Sequence, residues 1–243
     1  MVRTEILSNS SPIRVSQKDL IALSTTAKVI PLDAVNIRSL QAGSYISPFK
    51  GRGMEFDESR PYQPGDDPRN IDWRVTARSN QAYTKLYREE RERPVYVITD
   101  LRDNMHFATR GRFKSVTASY LASCLAWAAH HRGDRLGGII FGNNVCTEIR
   151  PKMGRRAVLR YLHSIAEHPD WNPSHAMEHP NQYESFLKAI TALRRVVRPG
   201  SLVIIISDFL GFRQMCNAML AKLSQHNELL TISVNDPIEM NPP

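Results

Sequence analysis

The 243-residue chain has only three cysteines, Cys124, Cys146 and Cys216, an odd number, far apart and flanked by apolar neighbours. That pattern excludes a disulfide framework and a thiolate metal centre, and predicts reduced side chains packed in a core. Long hydrophobic runs are missing too. No apolar stretch approaches the roughly 20 residues needed to cross a bilayer, and the first residues lack the basic-then-apolar pattern of a secretory leader. No membrane span is expected, and the expected location is the cytoplasm. Catalytic signatures are equally scarce: there is no glycine-rich phosphate loop followed by Lys and Ser or Thr, no Gly-x-Ser-x-Gly and no His-Glu-x-x-His. The expectation is a protein that is not an enzyme and carries no cofactor. His163, His168, His175 and His179 crowd a proline-rich stretch, but their irregular spacing without paired acids reads as exposed loop residues, not metal ligands.

Charge is what the chain has in quantity. The net charge of +8 arises in one window, Arg102 to Ile165, where eleven Lys and Arg face only Asp103, Asp134 and Glu148. A basic face of this kind calls for an acidic partner, a phosphate or nucleic acid. Aromatics able to stack bases are sparse near the cluster and no nucleic-acid module is recognisable, which counts against nucleic acid. Binding of nucleic acid or an acidic ligand through residues 102–165 is the alternative function. By contrast, Gly51 to Arg93 holds nine basic and nine acidic residues interspersed, the pattern of an ordered ion-paired block. With 42% hydrophobic residues the chain can bury a substantial core.

Periodicity divides the chain in two. Residues 16–29 read as a short amphipathic helix opened by Ser16 as cap. The glycines and prolines of residues 51–93 break that block into loops and short strands, with 82–87 the best strand. After Pro94, strands are predicted at 95–99, 136–141, 145–149, 202–206 and 229–234, and helices at 113–130, 157–166, 183–197 and 212–225. Gly142-Asn143-Asn144 marks a hairpin, so 145–149 pairs antiparallel with 136–141. The expected fold is α/β: a doubly wound, mostly parallel sheet with one antiparallel edge strand over residues 94–243. An N-terminal helix and a charged irregular sub-domain with short strands, residues 1–93, precede it.

Open parallel sheets bind ligands beyond the carboxyl ends of their strands. Two strands end there in an acid, Asp100 and Asp208, a pair suited to a hard cation or to capping the following helices. This layout resembles a von Willebrand factor A-like domain, whose Asp-x-Ser-x-Ser motif, later Thr and later Asp hold a divalent metal. The first motif here reads Asp100-Leu101-Arg102-Asp103-Asn104, without hydroxyls, and Pro151-Lys152-Met153-Gly154, where the Thr is expected, has none either. The resemblance implies a degenerate metal site. One reading places the Arg102 guanidinium between Asp100 and Asp208 as an internal cation, with Lys152, Arg155 and Arg156 ringing it as a basic rim for an acidic partner. A solvated Arg102 in a dead site, and magnesium held by Asp100, Asn104 and Asp208, are the other two.

The block at 51–93 narrows the family. Gly51, Gly53, Phe56, Arg60, Tyr62, Gly65, Asp66, Asp67, Arg69, Asp72, Trp73 and Arg78 stand in a pattern that closely resembles the domain of unknown function 58 family, over roughly residues 16–240. Asp66, Asp67 and Asp72 are expected to pair with Arg60, Arg69, Arg74 and Arg78, and Trp73 and Tyr62 to anchor the block. The resemblance implies a non-catalytic adaptor or chaperone-like accessory of a MoxR-type AAA+ ATPase, acting with other von Willebrand factor A-like proteins to assemble or activate protein complexes. Members of the family generally continue past the equivalent of Pro243, so either an uncovered end of the sheet or a shortened form is expected.

Overall fold

The computed structural model describes residues 10–32, 54–79, 81–89, 93–172 and 182–240. In chain order the elements are α1 Gln17–Ala22, α2 Ser24–Ala27, β1 Met54–Pro61, α3 Trp73–Thr76, β2 Tyr83–Glu89, β3 Pro94–Asp100 and α4 Lys114–His131. Then follow β4 Arg135–Phe141, β5 Cys146–Lys152, α5 Arg155–Ala166, α6 Gln182–Val196, β6 Leu202–Ser207, α7 Gln214–Ser224, β7 Glu228–Ser233 and α8 Pro237–Met240.

The main sheet has the order β5-β4-β3-β6-β7, with β4, β3, β6 and β7 parallel and β5 antiparallel at one edge. This is the doubly wound α/β architecture expected from the sequence. Side chains alternate between its faces with the strand period of two. Val97, Ile140 and Ile204 pack toward α4 and α5, whereas Ile98, Ile139 and Ile205 pack toward α6 and α7. Helix α4 lies in the deeper layer and is buried nearly all round, so its sequence shows little polar face.

The chain divides into two compact units, residues 37–92 and residues 1–36 with 93–243. This corrects the boundary expected at residue 93, because the N-terminal helix belongs with the sheet. Leu20, Leu23, Ala27 and Leu32 are buried in the core that includes α4, and the Leu20 carbonyl accepts from Ser123 Oγ at 2.7 Å and Trp127 Nε1 at 3.3 Å. The amphipathic stripe needed an apolar partner, and α4 supplies it. The single helix expected over 16–29 is two short ones; Ser16 does cap α1, accepting from the Asp19 N–H.

In the 37–92 unit, β1 and β2 form an antiparallel pair with an irregularity between Phe56 and Glu58. Gly51 and Gly53 lie outside the described residues, and of Phe56 only the backbone pairing with Tyr87 is described. Gly65 turns the chain at φ 108°, a conformation glycine adopts without strain. Asp66 pairs with Arg60 at 2.8 Å and accepts from the Gln63 N–H. The lattice expected around it is mostly something else. Asp67 accepts from the Arg69 N–H, and Asp72 accepts from the Arg74 and Val75 N–H groups and from Ser59 Oγ, while Arg69, Arg74 and Arg78 are exposed. Short turns leave many N–H groups unpaired, and a carboxylate two or three residues upstream reaches them more easily than it reaches a long guanidinium arm. Trp73 is 70% exposed and so does not anchor the block, whereas Tyr62 is half-buried and donates to the Asp66 carbonyl at 3.2 Å.

Candidate functional site

At the carboxyl edge of the sheet, β3 and β6 are neighbours, so Asp100 and Asp208 are brought together by parallel pairing of the strands that precede them. Asp100 and Arg102 are both completely buried. The Arg102 guanidinium grips Asp100 through Nη2 at 2.6 Å and Nε at 3.0 Å, donates from Nη1 to the Leu210 carbonyl at 3.0 Å, and lies 3.8 Å from Asp208 Oδ1. Asp100 also accepts from Ser207 Oγ at 2.6 Å and from the Arg102 N–H at 3.0 Å. The rings of Phe141 and Phe186 lie 5.5 and 5.3 Å from the guanidinium carbon. A flat, weakly hydrated cation suits this aromatic sleeve better than an ammonium would.

A second internal cation was not anticipated from sequence. Lys114, 4% exposed, donates to Asp208 at 2.8 Å and to Glu239 at 2.6 Å. It stands in the first turn of an 18-residue helix, where the helix dipole opposes positive charge, so the two carboxylates are needed to hold it. Burial pushes the Lys114 pKa down, but bonds from Asp208 and Glu239 outweigh this and raise it. Burial likewise pushes Asp208 up, while bonds from Lys114, the Leu210 N–H and Asn104 hold it below the usual carboxylate range. Asn104 presents its amide N–H₂ to both Asp208 oxygens, at 2.7 and 2.8 Å.

These residues do not fit a divalent metal. The carboxylates that would ligate it are already neutralised by Arg102 and Lys114, while Asn104 gives its amide N–H₂ to Asp208 and leaves Oδ1 buried without a partner. Arg102 is buried, not solvated, and its guanidinium lies 2.6 Å from Asp100 and 3.8 Å from Asp208.

The basic rim is elsewhere. Leu136 pairs with Lys152 on one side and Val95 on the other, whereas Asp100 pairs with Phe141, which pairs with Cys146. Lys152 therefore lies at the opposite end of the sheet, about 16 Å away at roughly 3.3 Å per residue, and Arg155 and Arg156 follow it. An antiparallel strand that starts at the carboxyl edge delivers its following loop to the other edge, so Lys152, Arg155 and Arg156 do not ring Arg102. Nor do residues 102–165 form one basic face: Arg102 and Lys114 are buried at the carboxyl edge, while Arg150, Lys152, Arg155, Arg156 and Arg160 are exposed on β5 and α5.

The loop that does return to the edge follows α5. It brings His168, Asp170 and Trp171 against the β4–β5 hairpin and the loop after β3, so His168 is buried, not the exposed loop residue expected. Asp170 Oδ2 accepts from the Asn143 N–H at 2.6 Å, Asn143 Oδ1 accepts from the Asp103 N–H at 3.2 Å, and the Asn143 carbonyl accepts from Ser185 Oγ at 2.5 Å. Asn143, legible in sequence only as a turn residue, thus ties four segments together. His106 packs edge-on to Trp171 at 5.2 Å, and its ring nitrogens meet the Leu101 carbonyl at 3.2 Å and Ser115 Oγ at 3.1 Å.

Burial pushes the pKa of both His106 and His168 down, although nearby carboxylates oppose the shift. With folded values below the unfolded value of about 6.5, each favours folding fully above that pH and loses its contribution as pH falls through the lower folded value. Melting temperature is therefore expected to decline from about pH 6.5 downward. His168→Gln, which cannot titrate there, flattens that limb; an unchanged slope would assign it to other groups.

Turn geometry completes the site. Phe209 occupies the left-handed region at φ 58°, rare for a bulky residue, and packs against Phe186 and Phe212. The Ser207 hydroxyl accepts from its N–H and Asp208 Oδ1 from that of Leu210, which turns the Leu210 carbonyl toward Arg102. The Leu210 side chain is left 52% exposed beside the charge cluster, and Phe107 and Ile238 are exposed as well.

A family model described as "Protein of unknown function DUF58" matches residues 58–243. Uncharacterized proteins of Mycobacterium tuberculosis and Mycobacterium bovis are 32% identical over 202 residues, 83% of this chain and 61% of theirs. The chain thus spans 61% of the length of these curated relatives. An aerotolerance-related membrane protein from Bacteroides fragilis is similar at 18% identity and a TM-score of 0.44, over 58% of this chain and 67% of that one. The conserved hypothetical protein BatB from Bacteroides thetaiotaomicron follows at 17% identity and 0.42, over 58% and 66%. Among the described residues no helix is long and apolar enough to cross a membrane.

Proposed function

We propose that this protein, which belongs to the DUF58 family, is a non-catalytic protein-binding adaptor whose partner surface is the carboxyl edge of the sheet. The observation that supports this reading is the use of two internal cations at a position where the fold otherwise offers a metal. Arg102 and Lys114 keep the strand ends rigid and charge-neutral, and exposed apolar side chains, Phe107, Leu210 and Ile238, stand around them. Exposed apolar groups around a desolvated charged centre suit recognition of another protein better than chemistry on a small molecule. Following the family resemblance, the partner is a MoxR-type AAA+ ATPase, with other von Willebrand factor A-like proteins in the same assembly, and the setting is the cytoplasm.

Leu210→Asp tests the surface without disturbing the core, because the side chain is exposed and the carbonyl that serves Arg102 remains. Capture of the MoxR-type ATPase from the same organism is expected to fall at least about tenfold, as for an interface residue carrying more than 1.4 kcal/mol, with the melting temperature unchanged. Undiminished capture would move the partner surface away from this edge.

A further inference from the structure

One carboxylate at this edge comes from no strand end. Glu239 sits on α8, in the segment after β7, where Oε1 accepts from Lys114 Nζ at 2.6 Å and Oε2 from the Asp236 N–H at 2.8 Å. Asp236 fastens the same segment to the loop after β3, accepting from the Thr109 N–H at 2.8 Å and Thr109 Oγ1 at 2.6 Å. Along the series Asp208, Lys114, Glu239, the first two side chains are 5% and 4% exposed and the last is 37% exposed. The innermost carboxylate is fixed, and the outermost can leave.

Charge bookkeeping points the same way. Asp100 and Asp208 balance Arg102 and Lys114 two against two, so Glu239 is a third carboxylate at a centre already neutral. Outside its own segment, where it accepts from the Asp236 N–H, its printed bond is to one ammonium that Asp208 shares. A carboxylate from another chain could replace it like for like, with no net change in charge and little change in desolvation. An internal ligand competes at the high effective concentration of a short tether, so an isolated carboxylate would not displace it. A segment that also covers Phe107 and Leu210 would, because it adds apolar contact that Glu239 alone does not make.

We infer that residues 236–240 are a self-ligand strap. Glu239 occupies, from within the chain, the position at which Lys114 receives an Asp or Glu side chain of a protein partner, and binding exchanges one carboxylate for the other. This rests on the reading of the carboxyl edge as the partner surface and adds its chemistry: an acidic side chain flanked by apolar residues, under competition from the chain's own strap.

The test uses a fluorescein-labelled peptide of alternating Glu and Leu, read by anisotropy, with a Gln-for-Glu peptide as control. Glu239→Gln weakens the internal competitor, and Asp236→Asn loosens the strap without touching Lys114 or Asp208. Each is expected to tighten peptide binding by about tenfold or more, as removal of a tethered competitor does. The control peptide is expected to bind neither variant, and Lys114→Gln to abolish the gain in the Glu239→Gln background. Two strap variants guard against misfolding of any one of them. Equal affinity of wild type and both strap variants, absence of binding to all of them, or equal binding of the control peptide would each overturn the strap. Capture of the ATPase is scored separately: loss of capture by Leu210→Asp with no gain from the strap variants leaves the partner surface standing and removes only the strap.

Discussion

Arg102→Met is expected to lower the free energy of unfolding by about 3–5 kcal/mol, because it strands a buried carboxylate. For a chain of this size that is a melting-temperature loss of roughly 6–20 °C. Asp100 would keep only the Ser207 hydroxyl and the residue 102 N–H as donors, and the Leu210 carbonyl would lose its partner. Adding Asp100→Asn to the same chain removes the orphaned charge and should recover part of the loss. The two substitutions are therefore expected to be strongly non-additive in thermal and urea denaturation. Wild-type stability for Arg102→Met would mean that the pair is not what neutralises the edge.

Gly138→Ala is the second large effect. A glycine in a strand interior ordinarily gives up about 0.5–1 kcal/mol relative to alanine, so the substitution would stabilise most sheets. Here the new Cβ would fall on the Val97 carbonyl oxygen of the adjacent strand and within 2.7 Å of Tyr161 Cε2. Tyr161 is completely buried across this point, with its hydroxyl 2.7 Å from Thr99 Oγ1 and 3.2 Å from the Val97 carbonyl. The ladder cannot yield without breaking its neighbours, and a loss of about 3 kcal/mol is expected, roughly 6–12 °C in melting temperature. Gly138→Ala with Tyr161→Leu relieves the ring contact but not the carbonyl, so the double variant should remain well below wild type; full recovery would place the strain in the ring alone.

Both effects concern residues that the sequence displayed without explaining. Arg102 is legible as an anomaly, a guanidinium where the von Willebrand factor A-like resemblance implies a hydroxyl, and its neighbours in the chain are enough to suggest an internal cation. Lys114 was not: it reads as one more base in a basic window, and only its place in the first turn of α4, just after β3, could have hinted at the edge it serves. Glu239 lies after the last strand between Ile238 and Met240, with no periodicity to mark it. Lys152, Arg155 and Arg156 lie at the other end because strand direction decides the edge, and β5 runs away from the carboxyl edge. In the charged block, counting opposite charges predicted a lattice of ion pairs, whereas the described carboxylates chiefly satisfy turn N–H groups within reach of short side chains.

The sequence by itself determined the alternation of buried strands and helices, the antiparallel hairpin, the two acids at neighbouring strand ends and the family, because each is written in local periodicity, turn chemistry or contiguous motifs. Tertiary structure alone decided which charges meet. It paired Lys114 with Asp208 and Glu239, residues 94 and 125 positions away. It sent the basic rim to the far edge and laid Tyr161 over Gly138. Those outcomes depend on strand order and on contacts between residues remote in the chain, and neither leaves a periodic trace in sequence.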